Sequence, residues 1–258
     1  MSLLLGFALC CAASTYQESF DSANAAHQKG AYAEAAAEYG RLAGSGGENA
    51  DVYYNMGNTM ARMGKPGAAI ACYEKALQLA PAHEPARHNL EKMLENTKRN
   101  LAKPLPPDWQ QALLFWHENL TLSAVSVLAL SLWLAFWVVA ALRVWRPLPW
   151  LRPVAAVCCL LAVVAVCSVW VKANPAPLAV ATRSEVPVFF GKNQDEPPRF
   201  MLYEGDRAAP ERIEGDWVLL STAGGERGWA RRSTLALVTG RGLELEMDGE
   251  GSESGKGS

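Results

Sequence analysis

From Leu120 to Val171 the sequence has no acidic residue and no histidine, and its only charges are Arg143, Arg146 and Arg152. A buried ionisable side chain is the usual mark of an ion or proton pathway through a membrane, so this poverty excludes one. Other absences narrow the chemistry further. The four histidines, His27, His83, His88 and His117, form neither HxxxH nor HExxH, and no cysteine stands at ligand spacing from them. The six cysteines (Cys10, Cys11, Cys72, Cys158, Cys159 and Cys167) show no metal-ligand or disulfide-framework spacing and read as small apolar residues. There is no Gly-x-Ser-x-Gly and no dinucleotide loop. Gly44-Ser-Gly-Gly47 lacks the Lys-Ser/Thr of a phosphate loop. A net charge of −2 without a basic stripe gives no argument for nucleic acid, and none is expected as a partner. The expectation is a protein with no catalytic residue, no cofactor and no metal.

What remains around the three arginines is long and apolar. Leu120–Leu142 gives 23 uncharged residues and Pro153–Val171 another 19. As helices these reach roughly 34 and 28 Å, enough for a ~30 Å hydrocarbon core. Seven of the nine tryptophans fall between Trp109 and Trp170, several of them where interfacial belts belong. The reading is a two-helix transmembrane hairpin, 120–142 and 153–171, with the loop 143–152 between. Three arginines and no acid in that loop make it cytoplasmic under the positive-inside rule. Both flanking parts then face outward, which predicts a two-span protein of the bacterial inner membrane with both termini extracytoplasmic.

Before the hairpin, Leu3–Ala13 is an 11-residue apolar run ending in Ala12-Ala13-Ser14, so residues 1–14 read as a signal-like segment, although no Lys or Arg precedes the run. Cys10 and Cys11 raise a lipoprotein alternative, which Leu9 fits poorly, and a buried N-terminal helix is the third reading. Residues 16–103 carry a repeat. Ala50–Pro81 has Tyr53, Met56, Gly57 and Met60, then Ala69, Tyr73, Ala76 and Pro81, and it resembles a tetratricopeptide repeat. Gly30 to Gly64, Ala35 to Ala69 and Tyr39 to Tyr73 are each 34 apart, so a first copy precedes it. Small residues at Gly57 and Ala69 allow paired helices to approach closely. Glu84–Leu101, with Leu90, Met93, Leu94, Thr97 and Leu101 at helical spacing, reads as a closing helix. Arrays normally need about three units, so this one calls for support from a partner, the membrane or a second copy. Residues 108–118 read as an aromatic interfacial segment.

The resemblance to tetratricopeptide arrays implies a concave protein-binding surface lined by the first helix of each pair. By register it presents Phe20, Asn24, His27 and Gln28, then Tyr54, Asn55, Asn58 and Arg62, then His88, Asn89 and Lys92. The competing reading of each is a solvated helix face.

Past the hairpin the rhythm changes. Leu178–Ala181, Val186–Phe190, Arg199–Tyr203 and Trp217–Leu220 are short β-favouring runs punctuated by Gly191, Gly205, Gly215 and Gly224-Gly225. Residues 178–239 resemble a bacterial SH3-like barrel, with the Trp217 and Gly228-Trp229 strands paired through Gly224-Gly225. Trp217 and Trp229 are open to two readings, core or rim packing and a ligand cage. Residues 240–258 read as a disordered tail of Gly, Ser and charge.

The order of segments yields a multidomain membrane protein: an all-α tetratricopeptide array, a two-helix transmembrane hairpin and a small all-β SH3-like barrel. Over about residues 16–238 it resembles the E-type proteins of the bacterial Bat (aerotolerance) group. That resemblance implies a cell-envelope complex with MoxR-type ATPases, von Willebrand A-domain membrane proteins and other Bat proteins. The function it predicts is a non-catalytic scaffold or adaptor. Two alternatives stand beside it: a sensor gripping peptidoglycan through the SH3-like domain, and an accessory subunit of an envelope hydrolytic or maturation system.

Overall fold

The structure, a computed structural model, describes residues 2–45, 49–99, 101–104, 120, 122–146, 148–240 and 242–245, with the backbone alone over 2–14. The expected interfacial segment 108–118 and most of the expected tail lie outside these residues. The chain divides into two compact units. One comprises Met1–Leu77, His83–Leu105 and Pro177–Ser258, and the other Gln78–Ala82 and Pro106–Ala176. The repeats and the β strands therefore belong to one unit, where the sequence had read as two parts divided by the hairpin.

In the first unit, α1 (Ser2–Gln28), α2 (Tyr32–Gly44), α3 (Ala50–Arg62), α4 (Pro66–Leu79) and α5 (Glu84–Glu95) follow as antiparallel pairs. The signal-like run is backbone-continuous with the first repeat helix. Gly30 and Gly64 turn the chain between paired helices at φ +79° and +70°, a conformation that side chains resist. Asn49 caps α3 by accepting from the Asp51 N–H at 2.8 Å. Tyr53, Met56 and Met60 are buried, as the repeat register requires. A Cβ on Gly57 would lie 2.6 Å from Cε1 of Tyr73, so α3 and α4 meet there with no room for a methyl group.

The closing helix is shorter than its spacing implied. It ends at Glu95, and Thr97 and Leu101 are not on it. Lys98–Pro104 instead crosses to the β strands: Lys98 lies 3.8 Å from the Tyr203 ring, Arg99 pairs with Asp206 at 3.4 Å, and Leu101 packs against the β core. Attraction from the second domain overrides a helical pattern that has little apolar area of its own.

Among the described residues eight strands follow: β1 (Leu178–Ala181), β2 (Glu185–Val188), β3 (Phe200–Tyr203), β4 (Arg207–Glu214), β5 (Trp217–Ser221), β6 (Arg227–Arg231), β7 (Leu235–Thr239) and β8 (Gly242–Glu244). They form a six-stranded sheet ordered β6-β5-β4-β1-β7-β8 and a β2-β3 ribbon. The expected closed barrel is thus open. The sheet and ribbon are joined by the bridge Phe189–Trp229, with both backbone hydrogen bonds at 2.8 Å. Gly228 permits that approach, since a Cβ there would meet Phe189 O at 2.7 Å. Central β1 is buried along its whole length, whereas β5 and β6 alternate, turning Val218, Leu220 and Ala230 inward. The expected β5–β6 pairing is present, with Leu219 opposite Trp229 and Gly225 at φ +80° in the turn. The tail begins later than the composition implied, because Gly242–Glu244 adds a strand to β7.

The second unit contains α6 (Leu122–Trp145) and α7 (Leu151–Ala173). Both are long and apolar enough to cross a membrane. The expected loop 143–152 is shorter, because α6 continues through Arg143, whose charge suits a helix C-terminus. Pro153 falls in the first turn of α7, where its missing N–H costs nothing. Small residues line the packed positions, among them Ala129, Ala162 and Ala165, while Trp133, Leu134, Trp137 and Leu160 are exposed.

Candidate functional site

The groove is assembled from the inner helix of each pair. Asn24, His27, Gln28, Tyr39, Tyr54, Asn55 and Asn58 line a cavity of about 300 Å³. Six of these were expected there. The seventh, Tyr39, comes from α2 and reaches the groove from behind.

Its role shows in the hydrogen bonds. Asn24 Oδ1 accepts from the Tyr39 hydroxyl at 2.6 Å and from Asn55 Nδ2 at 3.2 Å. One repeat on, Asn58 Oδ1 accepts from the Tyr73 hydroxyl at 2.8 Å and from Asn89 Nδ2 at 2.8 Å. The same three-residue arrangement recurs with each member displaced by 34 positions. Both lone pairs of each Oδ1 are taken, which fixes the amide's orientation. Within this arrangement the first asparagine of each pair keeps its Nδ2 donors, and the second keeps one N–H and its Oδ1 acceptor. Burial pushes the Tyr39 hydroxyl up to about 12 and also raises that of Tyr73, so both remain protonated donors at any physiological pH.

The hydrogen bonds of His27 and His83 each select a tautomer. Thr59 Oγ1 donates to Asn55 O at 2.8 Å, so it must accept from His27 Nδ1, also at 2.8 Å. His83 Nδ1 accepts from the Ala86 N–H at 3.1 Å, leaving Nε2–H to donate to Asp51 at 3.1 Å, and its ring packs on Tyr54 with centroids 5.0 Å apart. Among the described residues no Lys, Arg, Asp or Glu lines the cavity, so its described lining is polar and neutral.

The remaining expected residues lie elsewhere. Phe20 packs edge-on against Tyr39, with ring centroids 6.2 Å apart. Arg62, His88 and Lys92 are exposed and do not line the cavity. Asn89 does not line the cavity and joins the network by donating to Asn58. The two tryptophans of the β domain sit half-buried at its rim. Arg231 stacks on Trp217 at 4.5 Å and Lys192 on Trp229 at 4.6 Å, so each ring already has a cation on it.

A family model described as tetratricopeptide repeat matches residues 50–83, which span α3, α4 and the turn into α5. A search of curated proteins returns no match. The matched segment contributes Tyr54, Asn55 and Asn58 to the groove, and repeats of this kind serve protein–protein interaction.

Proposed function

We propose that this protein is a membrane-anchored adaptor without catalytic activity, which holds an extended segment of a partner protein along the groove side of α1, α3 and α5. The observation that carries the reading is the pair of tyrosine-locked asparagine sites at repeat spacing. An extended chain presents alternating backbone carbonyls and N–H groups, which match an amide donor and acceptor at each site. The neutral lining favours main-chain recognition over a charged motif. The anchor is the α6–α7 hairpin, whose exposed tryptophans and leucines call for lipid around them. With the arginine loop in the cytoplasm, groove and β domain face outward. The β domain is SH3-like in this reading, and the partners are envelope proteins of the kind found with Bat proteins, those with von Willebrand A domains first.

The test is a photo-crosslinking amino acid placed at Gln28 in the full-length protein in its own membranes. The expected product is one crosslinked membrane partner, absent when the probe stands at exposed Arg41 on α2. Equal products from both positions would remove the groove from the reading.

A second reading gives the β domain a ligand of its own, peptidoglycan. Phe190 favours it, being 77% exposed with the Arg199 guanidinium 5.7 Å from its ring centroid. Retention of the intact protein on purified wall material, lost on Phe190→Ala, separates this reading from the first.

A further inference from the structure

The outer side of the repeat array is covered. Helix α4 turns Tyr73 toward the groove, where its hydroxyl holds Asn58. The next two residues point to the β domain. Glu74 is buried and takes Arg207 Nη1 of β4 at 2.9 Å and Lys103 Nζ of the crossing segment at 2.5 Å. Lys75, also buried, donates to the carbonyl of Thr239 at 3.0 Å at the end of β7. At the start of α4, the Gly67 N–H donates to Glu204 at 3.2 Å, and a Cβ on Gly67 would stand 2.2 Å from Ala181 O. Gly205 is approached from the repeat side, with Thr97 Cγ2 2.6 Å and Ile70 Cδ1 2.8 Å from where its Cβ would stand. Arg207 Nη2 also donates to Leu101 O at 3.3 Å, tying the crossing segment to the same knot.

We infer that the β domain is the capping unit of the two-repeat array, with Glu74 as the latch: α4, and through Tyr73 the groove, keep their geometry only while Glu74 is closed on Arg207 and Lys103. Two repeats and one helix leave an open face, and the support comes from this chain's own second domain. A buried charge knot is a costly way to join two surfaces that apolar side chains would hold as well. Arg207 Nε and Asp206 Oδ1 are buried with no hydrogen-bond partner among the described residues, which adds to that cost. Such a joint sets one register and comes apart as a whole when a charge is lost. The inference concerns the groove's shape and stands apart from what the groove binds.

Cys72 reports on it. It lies on α4, fully buried, with its thiol pushed up to about 12 by burial, and reacts only when α4 is uncovered. The full-length protein in detergent is treated with iodoacetamide at pH 8, and alkylation of the Cys72 peptide is followed by mass spectrometry beside amide exchange of Asn55–Arg62. Arg207→Met, made on the β side alone, is expected to raise Cys72 labelling by about a hundredfold or more, as for one partner removed from a buried ion pair. Exchange in α3 should rise with it. Lys103→Ala, at a side chain 47% exposed, should raise both by only a few-fold and keeps the test open if Arg207→Met fails to fold. Unchanged Cys72 labelling in both variants overturns the latch. Faster labelling with α3 exchange unchanged overturns the claim that the cap holds the groove.

Discussion

Helices α4 and α6 share a sequence property and meet opposite fates. Neither has a polar stripe, so neither can lie half in water. In α4, ten of fourteen residues are buried, including Glu74 and Lys75. In α6, only Val125 and Ala129 of twenty-four are buried, and Leu134 is 64% exposed. The difference lies in what covers them. A chain that buries charge must supply each charge with a partner, and α4 has one from β4, one from the crossing segment and one from the end of β7. A helix with no charge needs no particular partner, and any apolar surround suffices. A helix apolar all round is therefore read from its polar minority: those few residues state whether protein or lipid lies outside.

The sharpest way to break the comparison is to remove the polar minority from α4. Glu74→Ala leaves Arg207 buried without a carboxylate, its remaining hydrogen bond being to Leu101 O, and should lower the stability of the full-length protein by about 3–5 kcal/mol. Glu74→Met with Arg207→Leu removes both charges together and lets half-exposed Lys103 return to water. That pair should come out close to wild type in a thermal melt. A double variant as unstable as the single one would show that the loss does not come from leaving Arg207 as an unpaired buried charge.

The converse change puts charge into α6. Leu134→Arg is exposed on the folded protein, so in water it would stay within about ±0.5 kcal/mol. At the centre of a bilayer span it costs about 2.5–3.5 kcal/mol of insertion. The fraction of protein that stays with membranes through an alkaline carbonate wash distinguishes these. Full retention of the variant would argue that α6 is covered by something other than lipid.

These contrasts also mark how far the sequence was legible. The second repeat could be read because Tyr53, Gly57, Ala69 and Tyr73 answer to helix–helix contact within one local unit, where spacing fixes who meets whom. The two long apolar helices were visible for the same reason, since length and composition are local. The cap was not. Gly67, Glu74 and Lys75 look like an ordinary helix start and a solvated pair, and nothing within thirty residues announces Ala181, Arg207 or Thr239. Leu101 even falls at helical spacing from Thr97, yet packs into the β core. Strand β4 was hidden by Pro210 and its charges, which the bulge between Pro210 and Arg212 accommodates. In the groove the 34-residue spacing of Tyr39 and Tyr73 was plain. That the tyrosines hold Asn24 and Asn58 required the fold.

Arg62 gives the smallest effect and a lesson in helical arithmetic. Tyr54, Asn58 and Arg62 stand at i, i+4 and i+8, which reads as one face. At 3.6 residues per turn, however, each step of four overshoots by about 40°, so Arg62 lies about 80° around from Tyr54. The drift carries it out of the groove: Tyr54 and Asn58 line the cavity and Arg62 is exposed beyond it. Arg62→Ala should therefore shift stability by no more than about ±0.5 kcal/mol and leave crosslinking from Gln28 at its wild-type yield. Tyr54→Ala, which removes a ring packed against His83 and a wall of the cavity, should reduce that yield severalfold in the same membranes. Loss of crosslinking with Arg62→Ala at unchanged stability would mean that the partner extends past the asparagine sites along the outer flank of α3. The recognised segment would then carry an acidic residue for the guanidinium, and the neutral groove would be only part of the surface it covers.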